Sequence, residues 1–187
     1  MGRAVVITGP SGVGMGTLTR SLRERMPDLE LSVSATTRRP RAGETQGVDY
    51  HFLSPEQFAQ HVDDGDFVEH AHYAGARYGT LRSELETRMA AGAPVVLEIE
   101  VQGARQVRET MPEATQVFIA PPSIESLRAR LVGRGTDDPE QIEKRLRTAE
   151  EELAAQHEFG RVVVNDRLED AVDELVAIVR EATRTPG

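Results

Sequence analysis

The segment Gly9-Pro10-Ser11-Gly12-Val13-Gly14-Met15-Gly16-Thr17 constrains the fold more than any other part of the chain. An apolar run (Ala4 to Ile7) precedes it and a helix-like run (Leu18 to Met26) follows. Strand, glycine-rich turn and helix start are together the setting of a phosphate-binding P-loop, in which backbone N–H groups and the positive helix end hold the phosphates of a nucleotide. The pattern G-x-x-x-x-G-K-[ST] is altered here, because Met15 stands in the lysine position and Gly16 in the hydroxyl position, with Thr17 next. The backbone cradle is present and its cation is missing. Taken alone, the segment could also be a tight strand-to-helix turn, so the rest of the chain decides.

A length of 187 residues fits one domain, and 39% hydrophobic with 28% charged residues is the balance of a soluble globular protein with a sizeable core. The formal net charge of −9 argues against a general nucleic-acid or anionic-membrane surface, although arginines can still gather at one anion site. Without cysteine there is no disulfide framework, thiolate nucleophile or thiolate metal site, and cytoplasmic residence is the default expectation. No apolar run is long enough for a membrane span, and the N-terminus enters a strand almost at once with no leader pattern.

Along the chain, Leu31 to Ser34 is a strand candidate running into a basic, turn-rich loop, Thr36-Thr37-Arg38-Arg39-Pro40-Arg41-Ala42-Gly43-Glu44. Val48 to Leu53 alternates like a strand. Ser54-Pro55 supplies a hydroxyl cap and a first-turn proline for a helix that Gly65 ends. Phe67 to Ala71 reads as a strand, Gly75 and Gly79 as punctuation of the next loop, and Leu81 to Ala91 as a helix closed by Gly92. Pro94 to Ile99 has the continuous apolar character of a strand buried on both faces, with Glu98 and Glu100 at its carboxyl end. Gln102 to Met111 reads as a helix, Gln116 to Ala120 as a strand, and Ser123 to Val132 as a serine-capped helix. Asp138-Pro139-Glu140-Gln141 opens a long helix through about Gln156 with a capping box. Val162 to Val164 is a last short strand, and Asp166 with Glu169 predicts a second capping box for the closing helix. Strands alternating with helices predict an open α/β sheet with its ligand at the carboxyl ends of the strands.

In their order and spacing, these motifs resemble the guanylate kinase family from Val5 to about Asn165: the glycine-rich loop, Ser34 through Glu44, Asp49-Tyr50, Glu69, Tyr78-Gly79-Thr80, Glu98 through Gly103, and Arg130 through Arg134-Gly135 to Arg145. The resemblance implies a single domain over 1–187 of the P-loop nucleoside-monophosphate-kinase type, in three layers about a parallel sheet. Its core would comprise about 1–33, 81–123 and 157–187, with a strand-rich GMP-binding insertion at about 34–80 and a helical lid at about 124–156. It implies transfer of the γ-phosphoryl group of ATP to GMP, with Mg²⁺ on the ATP phosphates, in purine nucleotide metabolism and GMP recycling. GMP and ATP would be the partners, with no nucleic acid or membrane, and a homo-oligomer is compatible with it. Arg38, Arg41, Tyr50 and Tyr78 would hold the GMP phosphate, as arginine forks and phenol donors suit. Ser34, Glu69, Thr80 and Glu100 would meet the base, since guanine offers neighbouring N1–H and N2–H₂ donors where adenine has an acceptor at N1. Gly9 to Thr17 and Asn165 would contact ATP, with Thr17 near Mg²⁺ and no protein metal ligand otherwise assigned. Arg38, Arg130, Arg134 and Arg145 would be the catalytic cations, because phosphoryl transfer relies on placed positive charge. The five histidines match no metal or catalytic pattern and read as surface or edge residues.

Met15 removes a charge and donor worth on the order of 10²–10³ in rate at a preorganised anion site. For a native methionine, a lid arginine or a bound K⁺ would take over that charge. Two other readings stay open: Met15 is an engineered replacement, or the chain is a catalytically impaired or non-catalytic module that binds GMP or a phosphopeptide. The lid arginines, which a binding module would not need, favour the enzyme.

Overall fold

The structure, a computed structural model, describes residues 3–73, 75–133, 135 and 138–184. Its strands are β1 (Ala4–Thr8), β2 (Glu30–Leu31), β3 (Ala35–Thr36), β4 (His51–Phe52), β5 (Phe67–Tyr73), β6 (Ala76–Leu81), β7 (Val95–Glu98), β8 (Thr115–Ala120) and β9 (Arg161–Val164). Its helices are α1 (Met15–Arg25), α2 (Pro55–Asp63), α3 (Arg82–Ala90), α4 (Val101–Thr110), α5 (Ile124–Gly133), α6 (Pro139–Ala154) and α7 (Leu168–Thr183). A short 3₁₀ turn, Ala155–Glu158, follows α6.

Five strands form a parallel sheet in the order β2-β7-β1-β8-β9. β1 is apolar at four of its five positions and wholly buried, and its pleat divides the core in two. Val5 and Ile7 pack with Leu18 and Leu22 of α1 and Leu175 and Val179 of α7, while Ala4 and Val6 pack with Leu85 of α3 and Ala104 and Val107 of α4. The result is the expected three-layer α/β fold. Strand order reverses about β1, so the loop after it opens at the sheet's switch point, where α/β folds hold their ligands.

Residues 35–81 contain a second sheet in the order β4-β3-β6-β5. Gln106 and Thr110, one turn apart on α4, fasten it to the first: Gln106 exchanges two hydrogen bonds of 2.9 Å with the backbone of His70, and the Thr110 hydroxyl donates to the Val68 carbonyl at 2.7 Å.

Several local expectations need correction. Gly79 does not punctuate a loop but lies inside β6, paired with Ala35 on one side and His70 on the other. A Cβ there would come within 2.8 Å of the Glu69 carbonyl and of the Phe67 ring, so glycine serves close backbone approach. Gly75 is the turn residue, with φ of 79°. Val48 to Leu53 contributes only His51 and Phe52 to a strand, and of Leu31 to Ser34 only Leu31 is strand. α1 begins at Met15 rather than Leu18, because Gly14 takes the left-handed cap conformation (φ 90°, ψ 30°) immediately after the loop. The Asp166–Glu169 capping box does not form. α7 starts at Leu168 with no side-chain cap, and Glu169 pairs with Arg25 at 3.0 Å while Asp173 takes the same arginine's other nitrogen. The boxes Ser54/Gln57 and Asp138/Gln141 do form.

Candidate active site

A cleft of about 1110 Å³ lies at the carboxyl end of β1, large enough for a nucleotide. One wall is the loop and first turn from Gly9 to Thr17 with Arg20. The other is a polar stripe of α6 comprising Gln141, Lys144, Arg145, Thr148 and Glu152, and Tyr73 and Glu100 also border it. Helical spacing puts that stripe on one face.

The loop is held from behind. Its Val13 carbonyl accepts hydrogen bonds from Asn165 Nδ2 at 2.8 Å and from Arg130 at 3.2 Å, and the other terminal nitrogen of Arg130 donates to the Asn165 carbonyl at 2.9 Å. The Val13 side chain is fully buried. On the cleft side, the Ser11 N–H donates to a Glu152 oxygen at 3.2 Å, so a carboxylate meets an amide of the kind that cradles phosphate. Burial, more than its neighbours Glu100 and Glu151, pushes the Glu152 carboxyl above the usual range. Met15 is half-buried, and its side chain packs on the apolar layer of Leu18, Leu22 and Leu175. Gly16 and Thr17 are exposed. Thr19, one turn on, has its hydroxyl 3.0 Å from Glu98 Oε2, tying α1 to the end of β7.

Asn165 is 6% exposed, and among the described residues its Nδ2 has the Val13 carbonyl as partner. Changing Asn165→Ala should therefore lower stability by about 1–3 kcal/mol by removing a buried donor–acceptor pair. It should also loosen ATP binding with little effect on the KM for GMP, a pattern read from thermal unfolding and two-substrate kinetics.

The second sheet carries two clusters. Glu69 is 7% exposed and lies opposite Thr80, whose hydroxyl donates to Glu69 Oε1 at 2.7 Å. Its other oxygen sits over Gly103, where an added Cβ would come within 2.8 Å. Burial chiefly, with repulsion from Glu100, pushes the Glu69 carboxyl up. Two carboxylates beside a hydroxyl can accept from adjacent N–H donors of a base.

Arg38 forms the other cluster. Both terminal nitrogens fork onto Glu44, at 3.0 and 2.8 Å, and its guanidinium carbon lies 5.2 Å from the Tyr50 ring centroid. Tyr50 and Tyr78 are edge to face at 6.1 Å. The Arg38 pKa is raised, first by Glu44 and then by the two phenols. The Arg41 backbone N–H also donates to Glu44, at 2.7 Å, while the Arg41 side chain is exposed. Ser34 accepts from the His51 N–H through its carbonyl, at 2.9 Å.

These bonds hold the Glu44 carboxyl near a pKa of about 2, against an ordinary value of 4.5. A depressed carboxylate stabilises the fold above its unfolded pKa and loses that contribution as pH falls through its folded one. The Arg38 Nη–H signals in NMR should therefore stay protected at pH 5 and lose protection between about pH 4.5 and 2.

The sequence-predicted residues thus divide. Gly9 to Thr17, Glu100 and Arg145 border the cleft; Glu69 with Thr80, and Arg38 with Tyr50 and Tyr78, form the two clusters on the second sheet; Asn165 and Arg130 stand behind the loop. Arg134 lies outside the described residues. Sequence reading missed Glu44, Glu152 and Arg20. The α6 residues carried a findable signal, a polar stripe at spacings of three and four, whereas nothing local marks Glu44 as the fork's partner.

A sequence model of one family, described as Guanylate kinase, matches residues 1–182. The chain belongs to the guanylate kinase family. It is 56% identical over 180 residues to a guanylate kinase of Mycolicibacterium paratuberculosis, covering 95% of this chain and 81% of that one. It is also 56% identical to one of Synechococcus sp., covering 92% and 91%. The crystal structure of a guanylate kinase from Anaplasma phagocytophilum superposes with a TM-score of 0.74 at 34% identity, covering 98% of this chain and 87% of that one. No helix among the described residues is long and apolar enough to cross a membrane.

Proposed function

We infer that the chain is a guanylate kinase, transferring the γ-phosphoryl group of ATP to GMP to give ADP and GDP. One observation carries this reading beyond family membership. Glu100, exposed on the border of the P-loop cleft, is also close enough to the buried Glu69 to push its carboxyl up, so a phosphate cradle and a pair of neighbouring carboxylates belong to one continuous site. We read residues 34–80 as the GMP region and 124–156 as the lid, with the acceptor's phosphate at Arg38, Arg41, Tyr50 and Tyr78. Its base meets Ser34, Glu69, Thr80 and Glu100.

A GMP phosphate oxygen attacks the γ-phosphorus in line, the new O–P bond forming as the bond to the β-phosphate oxygen of ADP breaks. The loop's N–H groups hold the donor phosphates and Arg38 holds the acceptor phosphate, so two anions are brought together by fixed donors. α6 covers the cleft and, with Arg145, adds charge and excludes water that would otherwise hydrolyse ATP. Thr17, Glu100 and Glu152 offer the hard oxygen donors that suit Mg²⁺, and among the described residues no group of three or more acidic or histidine side chains gathers as a cage. That donor set fits a metal carried in on ATP, where Mg²⁺ would neutralise phosphate charge. Cytoplasmic residence, and K⁺ as an activator, belong to the same reading. The non-catalytic alternative is not favoured, since the nucleotide cleft and its supports are intact.

A coupled assay of GDP formation from ATP, GMP and Mg²⁺ in sodium and potassium buffers tests it. Turnover is expected, and GMP binding without GDP in either buffer would return the chain to the binding-module class.

A further inference from the structure

We propose that Arg20, one turn into α1, supplies to the ATP phosphates the positive charge that the loop lacks at Met15. This rests on the kinase reading above. The cations bordering the cleft among the described residues are Arg20, Lys144 and Arg145. Lys144 and Arg145 belong to α6 on the opposite wall, and Arg130 is engaged with the carbonyls of Val13 and Asn165. Of these, Arg20 alone stands on the helix that the loop opens into, so its charge is present wherever α6 sits.

Helix geometry directs it there. Cα–Cβ bonds tilt toward the helix N-terminus, so residue 20 overlies residue 16, one turn of about 5.4 Å nearer the loop. An extended arginine spans roughly that distance. Gly16 leaves the way clear, since a Cβ there would meet nothing within 4 Å. Arg20 is exposed and borders both the cleft and the shallower groove past Thr19 and Glu98. Glu24, four residues on, is in position to pair with it, yet no described residue makes an ion pair or side-chain hydrogen bond with Arg20. Its guanidinium is therefore available to an incoming anion without an ion pair having to be broken first. A guanidinium also presents a donor fork to phosphate, from a position further back than an ammonium would need.

Two-substrate kinetics and ATP calorimetry on the unmodified chain, Arg20→Ala, Met15→Lys and the double variant test the assignment. Arg20→Ala should lower kcat/KM for ATP by about 10²–10³-fold, weaken ATP binding, and leave the KM for GMP and the thermal midpoint nearly unchanged. Adding Met15→Lys to Arg20→Ala should restore most of what Arg20→Ala loses, because the charge returns by the other route. Arg20→Ala within about threefold of the unmodified chain in both readouts would overturn the proposal, as would a double variant no better than Arg20→Ala alone. If no form makes GDP, the kinase reading fails by itself, and the ATP affinities still decide on Arg20.

Discussion

Glu69→Gln should reduce kcat/KM for GMP on the order of 10³-fold while leaving the fold at least as stable. The carboxylate is buried, fixed by Thr80 at 2.7 Å and seated in the space that a glycine at 103 leaves open, so it is held in place against a poorly matched base. Guanine presents two neighbouring donors. Glutamine offers one acceptor and one donor, leaving a guanine N–H facing an N–H, and it removes the repulsion with Glu100 that now burdens the folded state. Discrimination against AMP should fall with it. Acidity provides a second signature. The ionised carboxylate accepts hydrogen bonds from the base's N–H groups, and burial raises its pKa, so GMP affinity should decline on acidification at a higher pH than an ordinary glutamate would produce. The glutamine variant should lose that dependence. Steady-state kinetics with GMP and AMP across pH read both effects, and a variant with unaltered GMP kinetics would remove Glu69 from the base site.

Arg38→Ala should be nearly as costly, lowering kcat/KM for GMP by about 10²–10³-fold with the KM for ATP unchanged. The loss has two parts. The arginine fork disappears, and Glu44, now held by both its nitrogens, remains as a bare carboxylate where a phosphate must come. The double change Arg38→Ala with Glu44→Ala should therefore recover part of the loss and never all of it. Kinetics equal to the unmodified chain in both variants would place the acceptor phosphate elsewhere.

The layered sheet was legible because β1 and β7 are short unbroken apolar runs and α7 repeats its apolar residues at helical spacing. P-loop, basic loop and carboxylates were legible as chemistry that needs particular residue types in a particular order. β6 was lost because its central residue is Gly79, a breaker by local rules, and the reason for it is the Phe67 ring on the neighbouring strand. The capping box at Asp166 failed because α7 is capped one residue later, at Arg167, while Arg25, more than a hundred residues earlier, pairs with Glu169. Likewise, the placement of Arg130 behind the loop and of Glu152 in front of it depends on contacts spanning 117 and 141 residues. Such choices are settled by packing, and a local pattern carries no trace of them.

The two donors on the Val13 carbonyl bear on how such a site can change over time. A loop moulded by a cation at its mouth would lose its shape when that cation was exchanged. This loop is mounted from its rear, by Arg130 and Asn165, through a carbonyl that no nucleotide needs. Shape and charge are therefore separately heritable, and residue 15 can drift to a thioether that packs on the core while the cradle keeps its form. The loop's rear mounting thus leaves the choice of charged residue at its mouth open without a change in the shape of the cradle.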